Sequence, residues 1–186
     1  MFKCIKSNND SKYNLKQDED CDRNLIKLTD VEKLYLILNK FGDSIVMVTA
    51  LVENTDLNYD INKDLCIRAL EFLQRRHPFL RAYLTEDTNL KIQTGKYCPL
   101  EIEWSDNSIT YDELISELEA FNTKQFDYNS ESYLARSKIA SYIDSTGKKM
   151  FAINLSMSLI LTDGINITVL IIELINILNA LAANKS

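Results

Sequence analysis

Apolar residues recur along the chain with two different periods, and these periods predict alternating helices and strands. Apolar positions spaced by three and four residues predict four helices: 30–38, 62–77, 110–123 and the stretch after Gly164. Runs rich in β-branched and aromatic residues predict six strands: 44–52, 79–84, 90–93, 101–104, 134–143 and 150–160. The resulting order, α β α β β β α β β α, predicts an α+β sandwich with a mixed or antiparallel sheet.

Local signals indicate where several of these elements begin and end. Thr29 opens a capping-box pattern before the first helix, and Asn62 can cap the second. Pro78 ends the second helix because proline disfavours helical backbone in the residue before it. The turn 145–148 joins the last two strands into a hairpin. The first strand of that hairpin alternates and should keep one wet face, whereas the second is nearly all apolar and should be buried.

Polar residues are concentrated at the N-terminus, which sets the expected domain organisation. We expect residues 1–24 to be a flexible tail and residues 25–186 to be one folded lobe. A length of 186 residues fits a single domain. With 27 acidic and 21 basic residues the net charge is -6, and the basic footprint of a nucleic-acid-binding protein is missing.

The cysteines and the single histidine limit the possible metal and redox chemistry. No two of the four cysteines have the spacing of a CxxC motif, so we expect neither a zinc site nor another metal site. The N-terminus has no apolar signal-peptide core, and we expect a cytoplasmic protein with reduced thiols. Cys66 lies among apolar helical positions and should be a small core residue.

The C-terminal segment 165–183 is apolar enough to require a test against a membrane span. It contains Glu173 and three asparagines, whereas a spanning helix needs about 20 predominantly apolar residues. We therefore expect a helix buried in the core or against a partner chain.

Three segments, taken in order, resemble the superfamily of chloramphenicol acetyltransferase, peptide-synthetase condensation domains and alcohol acyltransferases. Residues 73–82, LQRRHPFLRA, resemble the family segment RHxxLR. Phe126-Asp127, followed by 134–136, LAR, resembles the family's Phe-Asp and Leu-x-Arg pair. Residues 158–166, SLILTDGIN, stand where the family carries HHxxxDG. The resemblance implies a chloramphenicol acetyltransferase-like lobe, a two-layer sandwich with a mixed sheet and helices on one face.

The sequence departs from the family where the chemistry resides. The positions of the two motif histidines are occupied by Ser158 and Leu159. In the family the second histidine is the general base. General-base catalysis typically raises the reaction rate 10²–10⁴-fold. Leucine has no lone pair, and His77 lies in a different segment, so we expect no catalytic residue at this position.

The rest of the motif retains its structural residues. In the family the motif aspartate forms a salt bridge with an arginine, which implies that Asp163 pairs with Arg76, Arg81 or Arg136. Gly164 would permit a tight exit from strand to helix. The alternative, from local pattern alone, is that Asp163 is a plain helix N-cap.

These observations predict an acyltransferase-like domain with impaired catalysis. Its ancestral reaction would move an acyl group from a CoA or carrier thioester to a hydroxyl or amine, with no tightly bound cofactor. Whether activity remains is open. The alternatives are a non-catalytic interaction or ligand-binding module, or the N-terminal lobe of a larger acyltransferase. A homotrimer, as in chloramphenicol acetyltransferase, or a second lobe or partner chain would then cover the exposed apolar surface.

Overall fold

The computed structural model describes residues 25–39, 45–53, 61–85, 89–92, 100–128 and 133–183. The predicted N-terminal tail lies outside these residues. The helices are α1 (Asp30–Asn39), α2 (Lys63–Arg76), α3 (Tyr111–Thr123) and α4 (Gly164–Ala183), and a short 3₁₀ helix spans Pro78–Arg81. The strands are β1 (Leu25–Lys27), β2 (Ile45–Glu53), β3 (Ala82–Leu84), β4 (Asn89–Ile92), β5 (Glu101–Thr110), β6 (Ala135–Ile143) and β7 (Lys149–Ser158).

The main sheet is mixed, and it confirms the predicted α+β class. Its strand order is β2-β7-β6-β5, with β5 parallel to β6 and the other pairs antiparallel. The predicted β6–β7 hairpin is confirmed. A smaller antiparallel sheet has the order β1-β4-β3.

Side-chain caps begin the helices where the sequence indicates. The Asn62 side chain accepts a hydrogen bond from the Leu65 N–H, as predicted. Thr29 and Glu32 form the predicted capping box ahead of α1. Thr110 forms a second capping box at α3, because its backbone donates to the Glu113 carboxylate and its hydroxyl accepts from the Glu113 N–H.

Helices lie on both faces of the main sheet, which corrects the expectation of helices on one face. Neighbouring residues of a strand point to opposite faces. Ile139 of β6 packs in the core formed with α2 and α4, whereas Ala140 packs with Leu114 and Leu118 of α3. The same arrangement corrects the predicted wet face of β6. That face is buried because α3 covers it.

Two strand boundaries also differ from the prediction. Residues 78–81 form the 3₁₀ helix, so that β3 begins only at Ala82. β5 continues to Thr110, well past the predicted end at Trp104, because its pairing with β6 runs as far as Ile143. The polar residues 105–108 gave no local signal for a strand, and the pairing of β5 with β6 joins residues far apart in the sequence.

Helix α4 packs against the protein along one side. By length and composition it could cross a membrane, but its core-facing residues pack against β2 and α2: Ile167, Leu170, Ile171, Leu174, Leu178 and Ala182. The opposite side exposes Ile165, Val169 and Ile172. The helix is therefore no clear membrane span, and it matches the predicted core helix with apolar surface left over.

Candidate functional site

The motif segment forms the turn between β7 and α4. Ser158 is the last residue of β7 and is fully buried, at 0% exposure. Its hydroxyl lies 2.6 Å from the Tyr128 hydroxyl and accepts a hydrogen bond of 3.2 Å from the Ile160 N–H. Both contacts hold the start of the turn. A hydroxyl this buried and this engaged is poorly placed to act as a nucleophile.

Leu159 follows in the first position of the turn and is half-buried. The turn closes behind it through a 3.0 Å hydrogen bond from the Leu161 N–H to the Ser158 carbonyl. The leucine side chain can neither accept nor hold a proton, so this position offers apolar surface and no acid–base chemistry.

Asp163 is the N-cap of α4, and here the structure differs from the predicted ion pair. Its Oδ1 accepts hydrogen bonds from the backbone N–H groups of Ile165 at 3.1 Å and Asn166 at 2.8 Å. The residue is exposed, and among the described residues it forms no salt bridge. The first N–H groups of a helix have no partner within the helix and bind a carboxylate readily. Asp163 is therefore a helix N-cap, the alternative that the local pattern predicted.

Gly164 is the first residue of α4, and its glycine character is not required there. Its φ lies outside the left-handed region, and an added Cβ would meet no atom within 4 Å. The predicted tight exit from strand to helix therefore does not depend on this glycine.

Arg76 and Arg81, two of the three arginines predicted to pair with Asp163, form other contacts near the end of α2. Arg81 is buried, and its Nε donates to the Gln74 carbonyl at 3.3 Å. Arg76 Nε lies 2.7 Å from Glu173 Oε1, and His77 Nε2 lies 2.7 Å from Glu173 Oε2. The Arg76 contact is an ion pair that lacks hydrogen-bond geometry. The two contacts with Glu173 join the end of α2 to the middle of α4.

Arg136, the third candidate, holds the C-terminal end of α3. It is only 2% exposed, and its Nη2 donates to the carbonyls of Phe121, at 2.9 Å, and Lys124. The guanidinium stacks over the rings of Phe121, at 4.9 Å, and Phe126, at 4.5 Å. Burial lowers the pKa of Arg136, and the charges of Glu101 and Glu103 oppose that shift. The charged guanidinium therefore donates hydrogen bonds to carbonyls at the end of α3 that have no partner within the helix.

Lys138 forms a cluster of opposite charges with two glutamates, and no sequence motif indicates it. It lies two residues after Arg136 on the same strand face, 3.0 Å from Glu117 and 3.2 Å from Glu103. Burial lowers the pKa of Lys138, but the hydrogen bonds and charges of the two carboxylates outweigh it, and the pKa lies above its ordinary value. No local signal could have found this cluster, because its three members come from three elements.

Metal chemistry has no support in the part of the chain that the structure describes. No group of three or more histidine, cysteine, aspartate or glutamate side chains there could hold an ion. Cys66 is buried, as predicted, and burial raises the pKa of its thiol to about 12. It is a core residue and not a reactive one.

Comparison with known proteins places this architecture among solved structures. No protein-family model matches the chain, and none of the curated proteins matches its sequence. The X-domain from teicoplanin biosynthesis is similar in structure, with a TM-score of 0.68 and 15% identity over 86% of this chain and 33% of the X-domain chain. That X-domain has also been solved in complex with OxyB.

Two further neighbours are a starter condensation domain and a cyclization-docking bidomain. The starter condensation domain of the rhizomide synthetase RzmA has a TM-score of 0.64 and 13% identity, over 86% of this chain and 38% of that one. A variant of it was solved with C8-CoA and Leu-SNAC. The EpoB cyclization-docking bidomain from Sorangium cellulosum has a TM-score of 0.51 and 16% identity, over 73% of this chain and 27% of that one.

The chain spans about a third of the length of these neighbours, and they give no support to the predicted homotrimer. At such low identities the likeness establishes the fold alone. Combined with the mixed sheet, the order of the elements and the strand–turn–helix unit at 158–164, it identifies this chain as having the chloramphenicol acetyltransferase-like fold of peptide-synthetase condensation domains.

Proposed function

We propose that this chain is a condensation-domain-like module whose motif turn does not catalyse acyl transfer. The observation that carries the proposal is the chemistry of the turn between β7 and α4. The resemblance to the HHxxxDG motif places Leu159 where the family has its general base. The neighbouring Ser158 hydroxyl is buried and lies 2.6 Å from the Tyr128 hydroxyl. A turn so composed binds its own backbone and offers no proton acceptor for an incoming hydroxyl or amine.

His77, the single histidine of the chain, does not replace the missing base. It contacts Glu173, which lies nine residues after Gly164 on α4. At a rise of about 1.5 Å per residue this places Glu173 roughly 13 Å along the helix from the turn. An imidazole at that distance cannot take a proton from a group bound at Leu159, because general-base catalysis needs hydrogen-bond contact.

The ligand class that this fold suggests is an acyl thioester of CoA or of a carrier protein. Such a thioester would be a co-substrate or a bound ligand, and not a resident cofactor. The support is the fold shared with condensation domains, one of which was solved with C8-CoA. Since fold alone does not determine function, this ligand class is part of the proposal.

The proposal is tested by incubating the purified chain with acetyl-CoA or a medium-chain acyl-CoA and an amine or alcohol acceptor. Free CoA is measured by chromatography, because the four cysteines of the chain would interfere with a thiol reagent. We expect release equal to that of the Leu159→Ala variant and of buffer. Saturable release by the wild-type chain above that of Leu159→Ala would contradict the proposal. Leu159→His tests whether the base alone is missing, and a gain of transfer in this variant would support that view.

A second candidate is an interaction module, and exposed apolar residues on α1 and α4 favour it. Ile165 at the start of α4 is 78% exposed, and Val31, Leu34 and Ile37 lie exposed along α1. Apolar patches of this kind mark interaction surfaces. Titration with a non-hydrolysable acyl-CoA analogue distinguishes the candidates. Saturable binding supports the thioester ligand, and its absence favours a protein partner.

A further inference from the structure

A cleft lies at the end of the main sheet, where β6 runs into the turn that leads to β7. Its described lining consists of Tyr111, Tyr142, Asp144 and Ser145, and its volume is about 320 Å³. Pockets that bind small molecules have volumes of about 300–1,000 Å³. The cleft is therefore large enough for a small ligand.

The cleft is distinct from the motif turn. Tyr142 pairs with Met150 at the start of β7, whereas Ser158 ends that strand eight residues later. At a rise of about 3.3 Å per residue the two positions lie roughly 26 Å apart along β7. A small ligand in this cleft does not reach the turn between β7 and α4.

Two tyrosine rings line the cleft. The ring centroids of Tyr111 and Tyr142 lie 5.9 Å apart, with an angle of 56° between the ring planes. Tyr111 is the first residue of α3 and is 47% exposed, so its ring is accessible to a ligand. The face of an aromatic ring carries a negative potential and attracts cations.

The hydroxyl of Tyr142 points to a ligand. Tyr142 is only 3% exposed, and it packs with Leu114 and Leu118 of α3. A tyrosine buried to this degree usually has a hydrogen-bond partner for its hydroxyl. In the described part of the chain the Tyr142 hydroxyl has no such partner, although the residue lines the cleft. A hydrogen-bond donor bound in the cleft would supply one.

Asp144 adds a negative charge to the same cleft. Its Oδ1 accepts hydrogen bonds from the Thr146 N–H at 2.8 Å, the Thr146 hydroxyl at 2.7 Å and the Lys148 N–H at 2.9 Å. Its Oδ2 accepts none from the described residues. The hydrogen bonds from the Thr146 hydroxyl and then from the Lys148 N–H lower the pKa of Asp144, so the carboxylate is ionised at neutral pH.

The electrostatic surroundings of Tyr142 are negative. Burial raises the pKa of Tyr142 most, and the charges of Tyr111 and Asp144 raise it further. The charge of Lys148 also acts on Asp144, but it is the smallest of the effects on that carboxylate. The cleft thus combines aromatic rings, a hydroxyl without a partner and a carboxylate oxygen, which together favour a cation with N–H donors.

We infer that this cleft binds a small primary amine in its ammonium form. The ammonium group donates hydrogen bonds to the Tyr142 hydroxyl and to Asp144 Oδ2, and the alkyl part of the amine lies against the Tyr111 ring. A primary ammonium has three N–H donors for these oxygens, whereas a quaternary ammonium has none. A guanidinium fits less well, because its planar fork prefers both oxygens of a carboxylate and Oδ1 is already engaged.

Calorimetric titration of the purified chain with butylammonium chloride at low ionic strength is the first test. For so small a probe we expect a Kd of about 1 mM. Asp144→Asn retains an oxygen for the turn but removes the charge, and it should weaken binding about tenfold. Glu119→Gln removes the same charge at an exposed position on α3 outside the cleft, and this matched control should bind like wild type.

Two further comparisons test where the ammonium group binds. Tyr142→Phe removes only the hydroxyl and should weaken binding about fivefold. Tyr35→Phe, on α1, is its matched control and should bind like wild type. Tetramethylammonium lacks N–H donors and should bind several-fold more weakly than butylammonium. Circular dichroism checks that the variants fold.

Four results would overturn the inference. They are the absence of saturable binding at millimolar butylammonium, a loss of affinity in Asp144→Asn no larger than that in Glu119→Gln, unchanged affinity in Tyr142→Phe, and tetramethylammonium that binds as tightly as butylammonium. The tyrosine variant keeps its ring in the core, so the inference can still be refuted if the asparagine variant does not fold.

Discussion

Replacing Arg136 with methionine should destabilise the fold strongly. The side chain is 2% exposed and binds the carbonyls of Phe121 and Lys124 at the end of α3. Methionine retains much of the volume but leaves both carbonyls without this donor. The last carbonyls of a helix have no partner within the helix, so their loss of a donor is not compensated locally.

The magnitude follows from the contacts. A hydrogen bond to a charged group contributes about 1.5–3 kcal/mol net, and each aromatic stack adds about 0.5–1 kcal/mol. Against this stands the desolvation of the guanidinium, whose Nε finds no partner in the described part of the chain. We expect a net loss of about 3–4 kcal/mol for Arg136→Met, within the range for breaking a buried polar contact.

Urea unfolding followed by circular dichroism measures this loss, provided that the slope of the transition is unchanged. Arg136→Lys retains the charge but neither the planar fork nor the stacking, so its loss should be intermediate, about 1–2 kcal/mol. Arg68→Met, at an exposed position on α2, is the matched control and should stay within about 0.5 kcal/mol of wild type. A loss for Arg136→Met no larger than that of the control would refute the reasoning.

Three further predictions concern other buried or paired groups. Cys66, with a pKa of about 12, should not react with an aromatic disulfide reagent at neutral pH until the chain is unfolded, and rapid native labelling would contradict its burial. Glu117→Gln should lower the free energy of unfolding by about 0.5–1 kcal/mol at neutral pH, because Lys138 loses one of its two charged partners. Because the pKa of Lys138 is raised in the folded state, this difference should vanish as the pH rises through that folded pKa, as seen in paired urea titrations across alkaline pH. Glu173→Leu should leave the free energy of unfolding within about 1 kcal/mol of wild type, since a packed apolar residue can replace a part-buried ion pair. His77→Ala removes one partner of the Glu173 carboxylate and should lower the free energy of unfolding by more, in the same urea titrations.

The sequence predicted those parts of the fold that depend on local chemistry. Asn62 and Pro78 bound α2 because capping and proline sterics act within one helical turn. The capping box at Thr29 and the β6–β7 hairpin follow from equally local signals. The end of β5 could not be predicted in this way, because its parallel pairing with β6 resumes at Ile109 after a register shift and ends at Thr110.

The candidate site shows the same division. The N-cap at Asp163 was one of two alternatives that the sequence left open, and the local one is what the structure contains. The true partners of Arg136 could not be predicted, since the end of α3 reaches it only through the folded sheet. Glu173 did carry a signal, as the one acidic residue in an apolar helix, but its partners on α2 come from a distant part of the chain.

The central claim is that the motif turn serves the structure of the chain and not its chemistry, with Asp163 as a helix cap. The most direct measurement compares Asp163→Asn with Asp163→Ala in urea unfolding. Asparagine caps helices as well as aspartate, so we expect the asparagine variant to match wild type and the alanine variant to lose about 1 kcal/mol. A buried ion pair with an arginine would instead make both variants lose about 3–5 kcal/mol. Equal, large losses would contradict the account.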